Sequence, residues 1–196
     1  LMTNVYPSGF FSVVSDTWDF WKVIGEYLPA LKDKVLARDG KVVIRPDSGD
    51  PADIICGTPF GKTELERKGL IEALWDIFGG TKTDKGFKLL DSHIGAIYGD
   101  SITLERAEDI LARLRDKGFA STNIVFGVGS FTYQYNTRDT FQFAMKATYA
   151  EVNGEERMLF KDPKTDDGTK RSLRGLVIVS KNEGGVITCQ DGYNRK

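Results

Sequence analysis

At 196 residues, with 40% hydrophobic and 28% charged side chains, the chain is long enough to bury one sizeable core and too apolar to be disordered. Its 27 Lys and Arg against 28 Asp and Glu leave a net charge of −1, so no overall basic field favours nucleic acid. No apolar run approaches the ~20 residues of a membrane helix either. Cys56 and Cys189 lie far apart without metal-ligand spacing and read as reduced thiols of a cytoplasmic protein, and no signal peptide is visible. The chain opens at Leu1-Met2 shortly before a strand-like run and stops soon after another, so a piece of a longer protein is expected.

Four apolar, β-branched runs come in order: Phe11 to Ser15, Lys41 to Arg45, Ile94 to Tyr98 and Asn123 to Gly127. Their composition predicts strands covered on both faces. Helical stripes separate them: Trp21, Ile24, Leu28 and Leu31; then Ile71, Leu74, Trp75 and Phe78; then Ala107, Ile110, Leu111 and Leu114. Thr103 is the expected N-cap of the third, with Glu105 in its first turn. The alternation predicts βαβ units on a parallel sheet. Beyond residue 140 the pattern changes. Asn153-Gly154 and Asn182-Glu183-Gly184-Gly185 each sit between strand-like runs and predict antiparallel hairpins, with a polar loop from Lys161 to Arg171 between them. The expected division is therefore 1–140, an α/β region on a parallel sheet, and 141–196, an antiparallel β region with its loop.

Polar residues gather where each parallel strand ends: Ser15-Asp16, Arg45-Pro46-Asp47-Ser48-Gly49-Asp50-Pro51, Gly99-Asp100-Ser101 and Gly127-Val128-Gly129-Ser130. In a parallel α/β fold these ends share one rim, where ligands bind. Arg45 offers a planar fork for phosphate oxygens, and Asp47 could hold a ribose hydroxyl, a positive centre or a metal-bound water; a plain strand-end ion pair explains the two equally well. Gly99-Asp100 lets a ligand approach backbone beside a sugar-binding carboxylate, or is a turn. Gly127 to Ser130 has the form of a small phosphate nest. Asp16 either caps the following helix or orients a histidine. Arg138 alone reads as a surface ion pair. His93, the only histidine, precedes its strand and so falls at the opposite end from the rim.

Taken together, Ser12-Val13-Val14-Ser15-Asp16, Ile44-Arg45-Pro46-Asp47-Ser48-Gly49, Lys85-Gly86-Phe87-Lys88-Leu89-Leu90, Tyr98-Gly99-Asp100, Phe126-Gly127-Val128-Gly129, Thr137-Arg138-Asp139, Phe160-Lys161-Asp162-Pro163 and Lys170-Arg171-Ser172 resemble the nicotinamide phosphoribosyltransferases. The resemblance runs over nearly the whole chain. It implies a partial (β/α) barrel of the type II phosphoribosyltransferase kind followed by an antiparallel region. The implied reaction joins nicotinamide to 5-phosphoribosyl 1-pyrophosphate, giving nicotinamide mononucleotide and pyrophosphate in NAD salvage. It further implies Mg2+ brought with the substrate pyrophosphate, coupling to ATP, and a cytoplasmic homodimer.

Carried over by position, Arg45 with Pro46 would grip pyrophosphate, and Asp47 would serve the ribose and magnesium end. Gly99 and Asp100 would hold the ribose. Gly129 and Ser130 would cradle the 5′-phosphate, and Arg138 would clamp phosphate across the dimer. Ser12 would line the base region, and Asp16 would orient the histidine phosphorylated during ATP coupling. Lys146, Lys161, Lys170 and Arg171 would lie near the nucleotide path or the facing subunit. The glycine turn, Gly127-Val128-Gly129-Ser130-Phe131, departs from the longer glycine run of vertebrate relatives and has a bacterial or phage-like form. The family's histidine, an arginine and the aspartate that reads the amide would lie upstream of Leu1, so the piece alone is expected to be inactive. Two alternatives remain: a nicotinate phosphoribosyltransferase of the same architecture, and a non-catalytic phosphate-binding or dimerisation module.

Overall fold

The computed structural model describes residues 2–99, 101–129, 138–141, 143–165 and 171–195, with the backbone alone for 138 and 139. The four expected strands are present as β1 (Phe11–Val14), β2 (Val42–Arg45), β5 (Ile94–Tyr98) and β6 (Ile124–Phe126). They form one parallel sheet in the order β1-β2-β5-β6. Chain order and spatial order coincide, so the sheet winds in one direction with no reversal among the described residues.

The first crossover is α1 (Phe20–Lys22), a π-helical turn (Val23–Tyr27) and α2 (Leu28–Leu36). Its N-cap is Asp19, whose side chain accepts from the Lys22 amide. The next is α3 (Pro51–Cys56), α4 (Glu64–Lys68) and α5 (Leu70–Phe78), and the last is α6 (Leu104–Asp116). Thr103 caps α6 as expected, its hydroxyl accepting from the Arg106 amide. Asp50 caps α3 through the amides of Ala52 and Asp53, with Pro51 at a first-turn position where its missing N–H is harmless. Sequence periodicity missed α3 and α4 because each is too short to repeat a stripe.

The core lies between the sheet and these helices. Val42, Ile44, Ile94, Ala96, Tyr98 and Ile124 meet Phe20, Ile24, Ile55, Leu70, Ile71, Leu74, Ile110 and Leu114, all buried. Burying each large aliphatic side chain contributes about 1.5–3 kcal/mol. The strands are not covered on both faces, however. Burial alternates along β1 and β2, and the second face carries Ser12, Val14, Val43, Arg45 and Val125, which are half-buried or exposed among the described residues. A run of β-branched residues reads the same whether its second face meets helices or stays open.

Cys56, at the end of α3, sits in this core, and its thiol donates to the Ile110 carbonyl of α6 at 3.5 Å. Burial pushes the thiol up to about 12, against the pull of Arg113 and Lys117. At pH 8 a thiol-specific reagent should therefore modify exposed Cys189 promptly and reach Cys56 only after unfolding. Equal rates at both sites in the folded protein would contradict the packing described.

Antiparallel pairing is not confined to the end of the chain. β3 (Gly80–Lys82) and β4 (Lys88–Leu90) form a hairpin before β5, which the sequence reading did not anticipate. Beyond residue 140, β7 (Tyr149–Val152) pairs with β8 (Glu155–Met158), and β9 (Leu176–Lys181) pairs with β10 (Ile187–Tyr193). Asn153 and Gly154 turn the first of these with φ of 54° and 79°, the left-handed pair a two-residue hairpin requires.

Candidate functional site

Parallel register brings the carboxyl ends of β1, β2, β5 and β6 to one rim. Arg45 is the last residue of β2, opposite Val14, and its carbonyl accepts from the Ser15 amide at 3.0 Å. Its guanidinium passes beside Gly99 at the end of β5: a Cβ built on Gly99 would lie 3.6 Å from a terminal Arg45 nitrogen. The Arg45 Nε is buried without a hydrogen-bond partner among the described residues. A guanidinium in such surroundings keeps donors in reserve for an anion. Pro46, buried, fixes the chain as it leaves the strand.

Asp16 does not cap the first helix; Asp19 does. Asp16 is 1% exposed, and one of its carboxylate oxygens, Oδ2, accepts from the Asp47 amide at 2.8 Å and the Ser48 hydroxyl at 2.5 Å. The other oxygen, Oδ1, is buried and has no partner among the described residues. A buried carboxylate oxygen left in that state costs upwards of ~1–3 kcal/mol, so it points to a group that completes it.

A segment from beyond residue 140 crosses this rim. Lys161 and Ser172 close it as a loop: the Lys161 amide donates to the Ser172 hydroxyl at 2.7 Å, and the Ser172 amide donates to the Lys161 carbonyl at 2.8 Å. Within it the Lys161 ammonium lies 3.9 Å from an Asp47 carboxylate oxygen, and Thr165 Oγ1 is 2.6 Å from Ser48 Oγ. The Lys164 amide donates to the Trp18 carbonyl at 3.0 Å. Its ammonium pairs with Asp19 and holds that carboxyl below the usual range.

Of the residues singled out from sequence, the rim thus gathers Asp16, Arg45, Pro46, Asp47 and Gly99, and the crossing segment adds Lys161. Ser12 lies exposed on the open face of β1, two residues before the strand's end. Gly129 is exposed just past β6. Lys146 is exposed on the stretch before β7, and Arg171 is exposed beside Ser172. Arg138 opens a short 3-10 turn, and its side chain is not described. Asp100, Ser130 and Lys170 lie outside the described residues. Sequence reading missed the parts played by Asp19, Ser48, Lys164 and Thr165. Ser48 lay inside a noted motif, but nothing local announces a contact 117 positions away.

His93 stands at the far end of the sheet. Its backbone carbonyl accepts from the Val42 amide at 2.8 Å, where β2 begins, and its Nδ1 lies 2.7 Å from Asp91. If chemistry is done at the rim, His93→Gln should change the activity of the intact polypeptide by less than about threefold, and a loss of ~10²-fold, the effect of removing a general base, would contradict this placement.

The sequence model of the nicotinate phosphoribosyltransferase (NAPRTase) family matches residues 6–194, and the chain belongs to that family. Among curated relatives it is similar to the nicotinamide phosphoribosyltransferase of Acinetobacter baylyi, 55% identical over 192 residues, covering 94% of this chain and 38% of that protein. It is also similar to the nicotinamide phosphoribosyltransferases of Mycoplasma pneumoniae, 44% identical over 171 residues, 87% of this chain and 38% of the relative, and of Xanthomonas campestris pv. campestris, 36% identical over 177 residues, 90% of this chain and 35% of the relative. The chain thus spans a little over a third of the length of these relatives.

Proposed function

We infer that the chain is the phosphoribosyl-binding part of a nicotinamide phosphoribosyltransferase, which joins nicotinamide to 5-phosphoribosyl 1-pyrophosphate and releases pyrophosphate. The observation that carries this is the rim itself, where a guanidinium with a spare buried donor and two carboxylates face the same strand ends. Displacement at the anomeric carbon builds positive charge on the ribose ring and negative charge on the leaving pyrophosphate. Asp47 would stabilise the first and Arg45, helped by Lys161, the second. Gly129 and Ser130 would hold the 5′-phosphate through backbone N–H groups. Holding both substrates in line supplies much of the remaining acceleration.

Among the described residues no three acidic, histidine or cysteine side chains converge as a metal cage. Magnesium would arrive with the substrate pyrophosphate, with Asp47 the nearest fit on this chain, and would neutralise pyrophosphate charge there. The spare Asp16 oxygen fits the imidazole N–H of the histidine used in ATP coupling. One-way winding of the sheet fits an arc of a (β/α) barrel, with residues 141–196 belonging to its edge or to a second domain. Arg138, Lys146, Lys170 and Arg171 would serve a facing subunit of a homodimer. No described helix is long and apolar enough to cross a membrane.

The test is to purify the intact polypeptide that carries this chain and supply phosphoribosyl pyrophosphate and magnesium, with nicotinamide or nicotinate, with and without ATP. Nicotinamide mononucleotide, formed faster with ATP, is the expected product. Preference for nicotinate would favour the sister activity, and phosphate binding without turnover would leave a non-catalytic module.

A further inference from the structure

The Lys161–Thr165 segment also touches the rim at Ser48. Ser48, 1% exposed, stands between two oxygens: Asp16 Oδ2 at 2.5 Å and Thr165 Oγ1 at 2.6 Å. A carboxylate only accepts, and a serine hydroxyl carries one proton. With that proton given to Asp16, Ser48 must accept from Thr165. The direction of the chain is therefore fixed: Thr165 O–H to Ser48 Oγ, Ser48 O–H to Asp16 Oδ2. Each bond polarises the next, from half-buried Thr165 to buried Ser48 and Asp16. The Asp47 amide supplies a second donor to the same oxygen at 2.8 Å. Oδ2 is thereby pinned from two sides, and Oδ1 is left buried without a partner among the described residues.

We propose that Thr165 is a positioning residue: through Ser48 it sets the rotation of the Asp16 carboxylate and so aims Oδ1 at the cationic or N–H group that completes it. Thr165 is held in reach by its own segment. The Lys164 amide donates to Trp18, the Lys164 ammonium pairs with Asp19, and the Thr165 carbonyl lies 3.1 Å from where a Cβ on Gly49 would stand. Trp18 and Asp19 follow Asp16 by two and three residues, so the segment grips the same turn at its backbone and at its carboxylate. The segment that brings Lys161 to Asp47 thus also orients Asp16, and the two carboxylates are set by one piece of chain. The catalytic part of this proposal rests on the phosphoribosyl-transfer reading; the relay itself does not.

The experiment uses Thr165→Val, Thr165→Ser and Ser48→Ala in the intact polypeptide, with two readouts. The first is amide exchange at Asp47, whose N–H donates to Asp16. Thr165→Val and Ser48→Ala should speed exchange there about fivefold or more, while Thr165→Ser, which keeps the hydroxyl, stays within twofold of the parent. The second is the kinetic split. Thr165→Val should lower kcat about three- to tenfold, the range of one neutral hydrogen bond, with KM for phosphoribosyl pyrophosphate within twofold, and Thr165→Ser should restore kcat. Unchanged Asp47 exchange in Thr165→Val overturns the relay. A fall in kcat that serine does not rescue, or an equal rise in KM, shows a packing role and overturns the positioning role. Faster exchange in a polypeptide that makes no mononucleotide upholds the relay and defeats the transferase reading instead.

Discussion

On the phosphoribosyl-transfer reading, Arg45→Ala in the intact polypeptide should lower kcat/KM for phosphoribosyl pyrophosphate by roughly 30- to 4,000-fold, the equivalent of ~2–5 kcal/mol for removing one partner of a desolvated charge pair. The side chain leaves β2 at the rim, runs beside Gly99 and has a buried Nε with no described partner. In the absence of substrate that donor is an unmet expense, and an anion with two oxygens in one plane relieves it. Arg45→Lys should recover only part of the loss, because a single ammonium cannot make two parallel bonds. Steady-state kinetics with varied phosphoribosyl pyrophosphate at saturating nicotinamide would measure both variants. Wild-type values in Arg45→Ala would remove this residue from the site.

Asp16→Asn separates chemistry from stability. The substitution keeps shape and keeps an acceptor for the Asp47 amide and the Ser48 hydroxyl, but it removes the charge and places an NH2 group where Oδ1 now stands. If Oδ1 orients an imidazole, turnover should fall by ~10²- to 10⁴-fold, as it does when the carboxylate behind a working histidine becomes an amide. The thermal midpoint should stay level or rise, because a buried charge with an unmet oxygen is lost. Calorimetry and a turnover assay on one preparation decide it. Parallel decline of both would make Asp16 a structural residue.

Much of the frame was legible before any coordinates. Four β-branched runs gave the strands to within a residue or two because a short buried strand has few other ways to be written. Thr103 and Asn153-Gly154 announced their cap and their turn through local chemistry. The rim could be placed because parallel strands carry their ends to one side, so Asp16, Arg45 and Gly99 fell together. What stayed hidden was non-local or lacked a period. The β3–β4 hairpin and the short α3 and α4 repeat nothing. Asp19 took the cap offered to Asp16 because the chain runs three further residues before it coils, and no propensity separates the two positions. Ser48 and Thr165 meet only when the Lys161–Thr165 segment lies across the rim.

The close approach of β5 and β6 at their ends has a consequence for how this rim can change. A Cβ on Gly127 would lie 2.6 Å from the Gly99 Cα, well inside contact distance, while the Gly127 amide donates to the Tyr98 carbonyl at 2.8 Å. Two bare backbones therefore touch where other folds place side chains. Nothing fits between them: a group lying over this seam meets peptide groups, whose chemistry no substitution alters, and the seam cannot be tuned by exchanging one side chain for another. Adaptation to a ligand of different shape has to come from the flanks, on β1 or on the Lys161–Thr165 segment, while the glycine pair acts as a fixed gauge against which those flanks are set.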